Sequence, residues 1–539
     1  ARCVHFLVAL IAACAICQTS ATEEDIQERL RKLELLVQSQ QLRADAQAAE
    51  LRRHKELIQV QQQQLLRKAS QENQRHLSGS DDNDEAMDHI WLLLCGSLVM
   101  LMQAGFAMVE AGCCRSRNVQ SMLLKNLTDV CSGTLGWWVL GWAFAFGGPD
   151  VEGTINPDGT ISGDGFLDGG FIGRTMFFSS GFLEADDEGV FTVRRSPANW
   201  YFQWAFCSVA STIVSGGVAE RVQFPAYVLY SIFMTAFIYP VVVAWTWGYG
   251  FLAAVTETGY MDFAGSGVVH MTGGVAALVG ATIAGPRHGR WERPDEFNPH
   301  SLPLVVLGTF LLWFGWYGFN CGSTMELHTA AKGHLAAQVA MNTTISATSA
   351  GMATLIIRLV KTRRYEVGSM CNGILAGLVS ITASCANVES GSAFVIGLCA
   401  ALIYTSASSL VRFAKVDDPI DAFAVHGACG TWGVLSAALF DWGEGFTHAH
   451  GWSGFKCVAR DGKCVDAAWV GLFGANILEI VVIIAWVAGL SVTYFLPMSY
   501  AGLLRAPEYI QHEGFDTAKH TPAKAYSFGS LSSASREAW

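Results

Sequence analysis

Two segments of this sequence place an aspartate eight residues before a histidine and follow the histidine with a glycine-rich stretch. The first runs from Asp262 to His270 and the second from Asp418 to His426. Ionisable side chains in such apolar surroundings are costly to bury and are therefore candidates for function. Eight residues of helix rise by about 12 Å, so each histidine lies far from its aspartate. An imidazole can bind a metal, relay a proton or exchange hydrogen bonds with a small polar solute.

A metal site is the least favoured of these three chemistries. Zinc sites use three or four His, Cys, Asp or Glu ligands at short spacings, and neither histidine has such a set nearby. The pair His448 and His450 is too short a motif to indicate one. We therefore expect no bound metal and no other cofactor.

The composition indicates a polytopic membrane protein. Of the 539 residues, 51% are hydrophobic and 15% are charged, against about 25% charged in an ordinary soluble domain. The mean hydropathy is +0.31. A formal net charge of -11 leaves no basic surface for a nucleic acid, so we expect no such partner. We find no nucleophile and base pair, phosphate-binding loop or dinucleotide motif in a polar segment, so an enzyme is not expected.

Apolar segments of about 20 residues, the length that crosses a bilayer as a helix, begin at residue 89. The eleven segments lie at residues 89–112, 127–147, 199–219, 225–247, 262–284, 301–321, 332–359, 369–386, 391–411, 419–440 and 467–496. The two Asp–His segments fall in the fifth and the tenth. If five helices form one repeat, the odd number forces the second repeat to enter the membrane inverted. We therefore expect an all-α membrane fold with an inverted five-plus-five repeat, in which His270 and His426 meet near the midplane.

Basic residues predict the orientation of the chain. Most lysines and arginines between the segments fall on one set of alternating loops, which should be cytoplasmic. They are Arg115, Arg117, Arg221, Arg287, Arg290, Arg293, Lys361, Arg363, Arg364, Arg412 and Lys415. This places the N-terminus outside the cell and the C-terminus in the cytoplasm, and we expect a plasma membrane location. The acidic outer loop at 150–190 either enriches cations at the mouth or is merely solvated.

The chain outside the membrane segments divides into four parts. Residues 1–22 have the order of a secretory signal peptide. Residues 23–78 repeat apolar side chains every seven positions, which indicates an extracellular coiled coil, with a solitary or partly disordered polar helix as the alternative. Residues 79–88 form an acidic linker, and residues 499–539 form a cytoplasmic tail after the membrane domain at 89–498.

Two further features have open interpretations. Trp247 ends the fourth segment on its outer side. It belongs either to the interfacial belt of aromatic residues or to a site where an indole face attracts a small cation, an interaction worth about 2 kcal/mol. Cys457 and Cys464 share a polar loop and would form a disulfide if that loop faces an oxidising space.

Four motifs occur in order along the chain. They are Ala219-Glu-Arg221, Asp262-Phe-Ala-Gly-Ser-Gly-Val-Val-His270, Gly315-Trp-Tyr-Gly-Phe-Asn-Cys-Gly-Ser323 and Asp417-Asp-Pro-Ile-Asp-Ala-Phe-Ala-Val-His-Gly427. Together they resemble the signatures of the Amt/Mep/Rh ammonium transporter family, in its Amt branch. The resemblance runs from about residue 85 to 525. It implies a homotrimer of eleven-helix subunits in a lipid bilayer, each with its own pore for ammonium or ammonia.

The resemblance also implies roles for individual residues. They are Trp247, Ser323, Phe206 and Asp262 at an outer ammonium site, Phe206 and Phe319 as a stacked gate, and His270 and His426 as the twin histidines of a hydrophobic pore. Glu110 in the first segment departs from an apolar helix, and its relation to the pore is open. The connection from Trp247 to Asp262 is a few residues longer than in bacterial relatives, and the N-terminal coil has no counterpart in the common family pattern.

A dry pore lined by histidines explains how such a protein would select its substrate. Potassium and ammonium have similar size and charge, so a pore for the bare ion selects poorly. Ammonium can give up a proton and continue as ammonia, whereas a metal ion keeps its charge and its desolvation cost of several kcal/mol. The alternatives are a channel of the Rh type for ammonia or carbon dioxide, and an ammonium sensor whose external coil reports occupancy.

The tail carries a candidate regulatory residue. The segment Glu513-Gly-Phe-Asp-Thr517-Ala-Lys-His520 resembles the family segment that packs on a neighbouring subunit. Phosphate on Thr517 would add charge at that contact and close the pore, unless Thr517 is an ordinary exposed residue.

We predict that residues 23–78 form a three-stranded coil, because a trimeric membrane domain raises the local concentration of the strands. Leu51 lies on the heptad seam. A Leu51→Cys variant is therefore expected to form crosslinks between subunits under oxidising conditions, visible on a denaturing gel. A variant that never crosslinks would contradict the three-stranded coil.

Overall fold

The computed structural model describes residues 27–28, 31–32, 81–148, 154–155, 161–162, 170–185, 191–193, 197–253, 255, 260–440, 457–460, 463–466 and 469–526. The chain divides into two compact units. One comprises Ala1–Arg75 and Ile155–Thr160, and its described residues include two short helical stretches joined by a 2.9 Å hydrogen bond from Lys32 to Glu28. The predicted signal peptide and most of the predicted coiled coil lie outside the described residues.

The second unit, His76–Thr154 and Ile161–Trp539, is mostly helical. Its described α-helices are α1 (Asp81–Cys113), α2 (Val119–Gly136), α3 (Trp142–Phe146), α4 (Pro197–Gly217), α5 (Phe224–Phe233), α6 (Tyr239–Trp245), α7 (Thr272–Ala284), α8 (Leu302–Gly322), α9 (Ala330–Thr362), α10 (Val367–Ile381), α11 (Ser390–Phe413), α12 (Cys429–Leu439), α13 (Trp469–Tyr500), α14 (Glu508–Glu513) and α15 (Phe515–Lys519). Short 3₁₀ turns lie at Ser116–Asn118, Phe177–Ser179 and Pro294–Phe297.

Wider, π-helical segments continue or begin several of these helices. In the described chain they are Trp137–Gly141 between α2 and α3, Met234–Ile238 between α5 and α6, Ser266–Met271 before α7, and Phe423–Ala428 before α12. The last two contain His270 and His426. Such segments are rare and occur often at functional sites.

Helical segments occupy each of the eleven predicted positions. Among the described residues, seven helices are long and apolar enough to cross a membrane: Asn83–Cys113, Phe224–Trp245, Ser266–Ala284, Leu302–Gly322, Ala330–Thr362, Ser390–Phe413 and Phe473–Tyr500. Two shorter apolar helices are Val367–Ile381 and Phe423–Leu439. The predicted all-α membrane fold is therefore confirmed, while the number of crossings and the inverted repeat stay predictions.

Short strands, which the sequence pattern did not predict, lie in the predicted outer loops. They are β1 (Thr154–Ile155), β2 (Ile161–Ser162), β3 (Leu183–Ala185), β4 (Phe191–Val193), β5 (Cys457–Arg460) and β6 (Lys463–Asp466). β3 pairs antiparallel with β4, and β5 with β6. The register sets Cys457 opposite Asp466 and Cys464 opposite Ala459. The two cysteines are therefore not direct cross-strand neighbours, and their disulfide stays a prediction.

Glycines let α1 and α8 pack backbone against backbone. A Cβ on Gly105 would lie 2.7 Å from Leu312 Cγ, and a Cβ on Gly308 would lie 2.6 Å from the Gly105 carbonyl oxygen. Both distances are too short for a real side chain, so larger residues would force the helices apart. Small residues serve the same purpose at helix contacts in other membrane proteins.

Buried ion pairs join the loops at the predicted cytoplasmic end. Glu220 contacts Arg115 and Arg287, each at 2.5 Å, and Asp417 contacts Arg287 at 2.8 Å and Arg290 at 3.2 Å. Burial alone raises the pKa of both carboxyls, but the arginines outweigh it and hold each pKa below its usual value. The loops after α4, α7 and α11 are thereby held together.

The C-terminal tail docks on this same end of its own subunit. The Asp516 carboxylate accepts hydrogen bonds of 3.0 Å from the backbone N–H groups of Gln120 and Ser121, in the first turn of α2. The Phe515 N–H donates to the Asn118 side chain at 2.8 Å, and Asn118 in turn donates to Glu220. A contact of this segment with a neighbouring subunit stays a prediction.

We expect Asp417→Asn to lower the unfolding temperature of the detergent-solubilised protein at neutral pH, because it leaves Arg287 and Arg290 short of a buried partner. Breaking a buried pair costs about 3–5 kcal/mol. Carboxyls with a lowered pKa stabilise the fold above their unfolded-state pKa, and this contribution is lost as pH falls toward the folded-state pKa. The wild-type unfolding temperature should therefore decrease below about pH 4, and less steeply in the variant.

Glu296→Gln is the matched control, because its exposed pair with Arg293 contributes only about 0–1 kcal/mol. Equal unfolding temperatures for Asp417→Asn and Glu296→Gln at neutral pH would contradict a stabilising role for the buried cluster.

Candidate functional site

Aromatic and imidazole rings form a continuous row inside the second unit. By ring-centroid distance the row runs from Trp247 to Phe206 (5.8 Å), Phe319 (3.9 Å), His270 (5.3 Å), His426 (5.2 Å) and Phe106 (6.0 Å). The rings come from the loop after α6, from α4, from α8, from the π-helical segments before α7 and α12, and from α1. The structure thus brings the gate pair, the twin histidines and the outer tryptophan of the sequence prediction into one row.

The two histidines touch through their Nδ1 atoms, which lie 3.2 Å apart. His270 is fully buried and His426 is 3% exposed. A hydrogen bond between two Nδ1 atoms requires one of them to carry a hydrogen and the other to be bare. In a neutral pair, the Nε2 atoms are then complementary: one accepts a hydrogen bond and the other donates one. His270 Nε2 has no protein partner among the described residues.

Glycines bring the two histidine helices close enough for this contact. A Cβ on Gly274, one turn after His270, would lie 2.6 Å from the Gly427 Cα and would also collide with the Gly427 backbone nitrogen. Gly427 directly follows His426. A side chain at Gly274 would therefore separate the helices and part the imidazoles.

Each histidine helix begins on an aspartate. The Asp262 carboxylate accepts four backbone hydrogen bonds of 2.8–3.0 Å, from Gly265, Ser266, Gly267 and Val268. The Asp418 carboxylate accepts one from Phe423 at 2.8 Å. The two aspartates thus fix the starts of the π-helical segments and do not contact the histidines. Gly265 has φ +105°, a conformation that favours glycine, at the turn before Ser266.

Trp247 is the ring at the predicted outer end of the row, and Ser323 lies one turn after Phe319; both are partly exposed. The Trp247 Nε1–H donates to the Asp262 carbonyl oxygen at 3.0 Å. This bond ties the indole to the Asp262 turn across the longer connection noted in the sequence, parts of which lie outside the described residues. The Ser323 hydroxyl donates to the Phe319 carbonyl oxygen at 3.0 Å, which leaves the lone pairs of its oxygen for a cation.

Two ring contacts were not assigned from the sequence. Trp316 stacks on His270 with a centroid distance of 4.9 Å and an interplanar angle of 19°, and Phe106 lies against His426. The Trp316 Nε1–H donates to Thr382 at 2.9 Å, which fixes the indole. Trp316 stands in the third motif quoted above and Phe106 in the first predicted segment, but spacing alone does not tell which aromatic side chains face the histidines.

Glu110 lies in a polar cluster between α1, α2 and α4. Its carboxylate accepts hydrogen bonds from Ser215 at 2.9 Å and Asn126 at 3.2 Å, and the buried Lys125 is its electrostatic neighbour. These contacts join the three helices. Among the described residues, no group of three or more His, Cys, Asp or Glu is arranged to hold a metal ion.

Thr517 is an exposed residue of α15, next to the docked Asp516. Its hydroxyl donates to the Ala523 carbonyl oxygen at 3.4 Å. The position is therefore accessible from solvent and adjacent to the contact that holds the tail.

Comparison with known proteins identifies what this arrangement resembles. The model of the Ammonium Transporter Family matches residues 90–526. "Ammonium transporter 1 member 3" of Solanum lycopersicum is 35% identical over 452 residues, covering 81% of this chain and 92% of the relative. "Ammonium transporter Amt2" of Archaeoglobus fulgidus is 35% identical over 453 residues, covering 82% and 88%.

Two solved structures share the fold. One is titled "Sensor Amt Protein", with a TM-score of 0.68, 31% identity, and coverage of 81% of this chain and 99% of that chain. The other is Mep2 of Saccharomyces cerevisiae, with a TM-score of 0.63, 25% identity, and coverage of 79% and 91%.

Proposed function

Because this chain belongs to the ammonium transporter family, we propose that it moves ammonium nitrogen across a membrane as NH3. In this mechanism NH4+ gives its proton to water at the exposed end of the row or to the bare nitrogen of the histidine pair, and NH3 passes the two histidines. The observation that carries the proposal is the buried contact between His270 and His426 within the row of rings. The relatives from Solanum lycopersicum and Archaeoglobus fulgidus are transporters by their titles, and the proposal includes no enzymatic reaction.

The outer end of the row has the groups needed to recruit a small cation. The Trp247 and Phe206 rings meet edge to face, at 80°, and present π faces to the approach. A desolvated cation on such a face gains about 2 kcal/mol. The Ser323 oxygen supplies an acceptor, and the Asp262 carboxylate places a negative charge behind the Trp247 indole. These contacts replace part of the water that NH4+ loses.

The stacked rings of Phe206 and Phe319, next in the row, exclude charged solutes. Phe206 and Phe319 stack at 3.9 Å, which is ring contact, so a solute passes only when a ring moves. Beyond them the lining is aromatic and imidazole and is buried from solvent. A potassium ion would lose several kcal/mol of hydration there without replacement, whereas neutral ammonia loses far less.

The histidine pair fits ammonia as a hydrogen-bond partner. Ammonia has N–H donors and one lone pair, and the neutral pair offers one bare Nε2 and one Nε2–H. Each Nε2 therefore has a complementary group on the solute. A potassium ion has no proton to lose and no hydrogen to donate, so the same lining rejects it.

The assembly and orientation belong to this proposal as well. We propose a homotrimer in the plasma membrane with an external N-terminus and a cytoplasmic C-terminus. Large apolar side chains such as Phe310, Phe314 and Phe413 are 55–86% exposed on the single chain, which is consistent with lipid or subunit contacts. The positively charged loops support a cytoplasmic tail.

An ammonium sensor is the second candidate, favoured by the structural match to a protein titled as a sensor. A sensor would bind ammonium through the same outer site and signal through another segment of the chain. Ammonium binding without methylammonium uptake by the reconstituted wild-type protein would favour the sensor. Carbon dioxide flux without ammonium uptake would favour the gas channel.

We expect the double variant His270→Ala, His426→Ala to lose selective ammonium flux while remaining folded, because the pore then lacks both hydrogen-bonding groups. Methylammonium uptake into cells or liposomes should fall to background. The control is His288→Ala, which removes a partly exposed histidine at the predicted cytoplasmic end. Uptake by the double variant equal to that of the control would defeat the pore assignment.

We also propose that phosphate on Thr517 closes the pore by releasing or shifting the docked tail. Thr517→Asp places a negative charge beside Asp516, whose carboxylate holds the first turn of α2, so methylammonium uptake should fall several-fold. Thr521→Asp adds the same charge to an exposed position after α15 and serves as the control. Wild-type uptake by Thr517→Asp would count against regulation at this residue.

A further inference from the structure

Glu479 of α13 is a buried carboxyl group that the transport mechanism above does not use. It is fully buried, and neither of its carboxyl oxygens accepts a hydrogen bond from a described residue. The Asp262 side chain lies within hydrogen-bonding distance of it. A second carboxyl group therefore faces the aspartate that lies behind the proposed outer ammonium site.

The backbone around Asp262 holds the two carboxyl groups together. A Cβ on Gly267 would lie 2.8 Å from Glu479 Oε1 and 3.2 Å from Asp262 Oδ2, so both groups rest on the same glycine. One turn before Glu479, the Asn476 side chain exchanges hydrogen bonds of 2.8 and 3.0 Å with the backbone of Met261. The position of Glu479 beside the Asp262 turn is thus fixed from α13.

The hydrogen bonds around this pair indicate which of the two carboxyl groups carries a proton. Four backbone N–H groups point at the Asp262 carboxylate, two at each oxygen, which is the environment of an ionised carboxylate. Two carboxyl groups form a hydrogen bond only when one of them carries a proton. Because Asp262 is ionised, that proton resides on Glu479. Among the described residues, Tyr260 is a further titratable group near Glu479.

We propose that Glu479 is a positioning residue of the outer ammonium site. It stays protonated and donates a fifth hydrogen bond to Asp262, so the pair of carboxyl groups has a net charge of minus one. An ionised Glu479 would place a second negative charge in the same buried space without a donor to stabilise it. The protonated form instead adds a donor to the Asp262 carboxylate, which orders the turn at Gly265. The Trp247 indole is hydrogen-bonded to the backbone of the same aspartate. This inference rests on the proposed transport function.

Three variants separate the role of the donor from that of the charge. Glu479→Gln keeps an uncharged donor of nearly the same shape, so methylammonium uptake should stay within about twofold of wild type. Glu479→Leu keeps the volume but removes the donor, so uptake at subsaturating substrate should fall about tenfold. Ser491→Ala alters another buried polar side chain of α13, bonded to Tyr230, and is the control for general disturbance of this helix.

Infrared spectroscopy of the reconstituted protein reads the proton directly. The difference spectrum between wild type and Glu479→Gln should contain the carbonyl band of a protonated carboxylic acid at neutral pH, whether or not the protein transports. Absence of that band overturns the proposal, as does loss of uptake in Glu479→Gln as complete as in Glu479→Leu, or unchanged uptake in Glu479→Leu. If Glu479→Leu is absent from the membrane fraction, the infrared band and the uptake of Glu479→Gln still test whether Glu479 is a protonated donor. A wild-type protein that shows the band but no uptake refutes the transport function alone.

Discussion

The hydrogen bond between two buried imidazoles is the constraint on which the rest of this structure depends. His270 and His426 share one hydrogen between their Nδ1 atoms. As a result, the Nε2 atom of one ring accepts a hydrogen bond and the Nε2 atom of the other donates one. Such a pair is favourable only where water does not compete for it, which explains the aromatic rings on both sides. In the mechanism we propose, selectivity for a solute that can lose its charge follows from this exclusion of water.

Several features besides the imidazoles hold the helices that carry them. Gly274 and Gly427 let two helices cross at backbone distance, and an aspartate begins each of the two π-helical segments. The buried ion pairs at the predicted cytoplasmic end join the loops that follow α4, α7 and α11, and the tail docks on the start of α2 beside them. Asn118 connects the docked tail to these ion pairs, because it accepts a hydrogen bond from the Phe515 N–H and donates one to Glu220.

Long apolar runs and repeated motifs made most of the helices and the central residues predictable from the sequence. The repeated Asp–His spacing of the fifth and tenth segments is visible in the sequence itself. The roles expected for Phe206, Phe319 and Trp247 came from the family resemblance. The π-helical turns around both histidines were not predictable, because their extra residue is a result of packing. Trp316 and Glu479 were missed for a related reason: a single aromatic or acidic residue in an apolar helix does not reveal which neighbour it faces. The short strands were not predicted, because their pairing depends on the turns between them rather than on a hydrophobic pattern.

In the proposed mechanism, only a solute able to become uncharged crosses the histidine row. Liposomes that contain the reconstituted protein can be exposed to equal gradients of ammonium and potassium, which have similar size and charge. We expect ammonium-driven flux that empty liposomes lack, and potassium permeation no greater than in empty liposomes. A potassium current through the wild-type protein comparable to the ammonium response would contradict it.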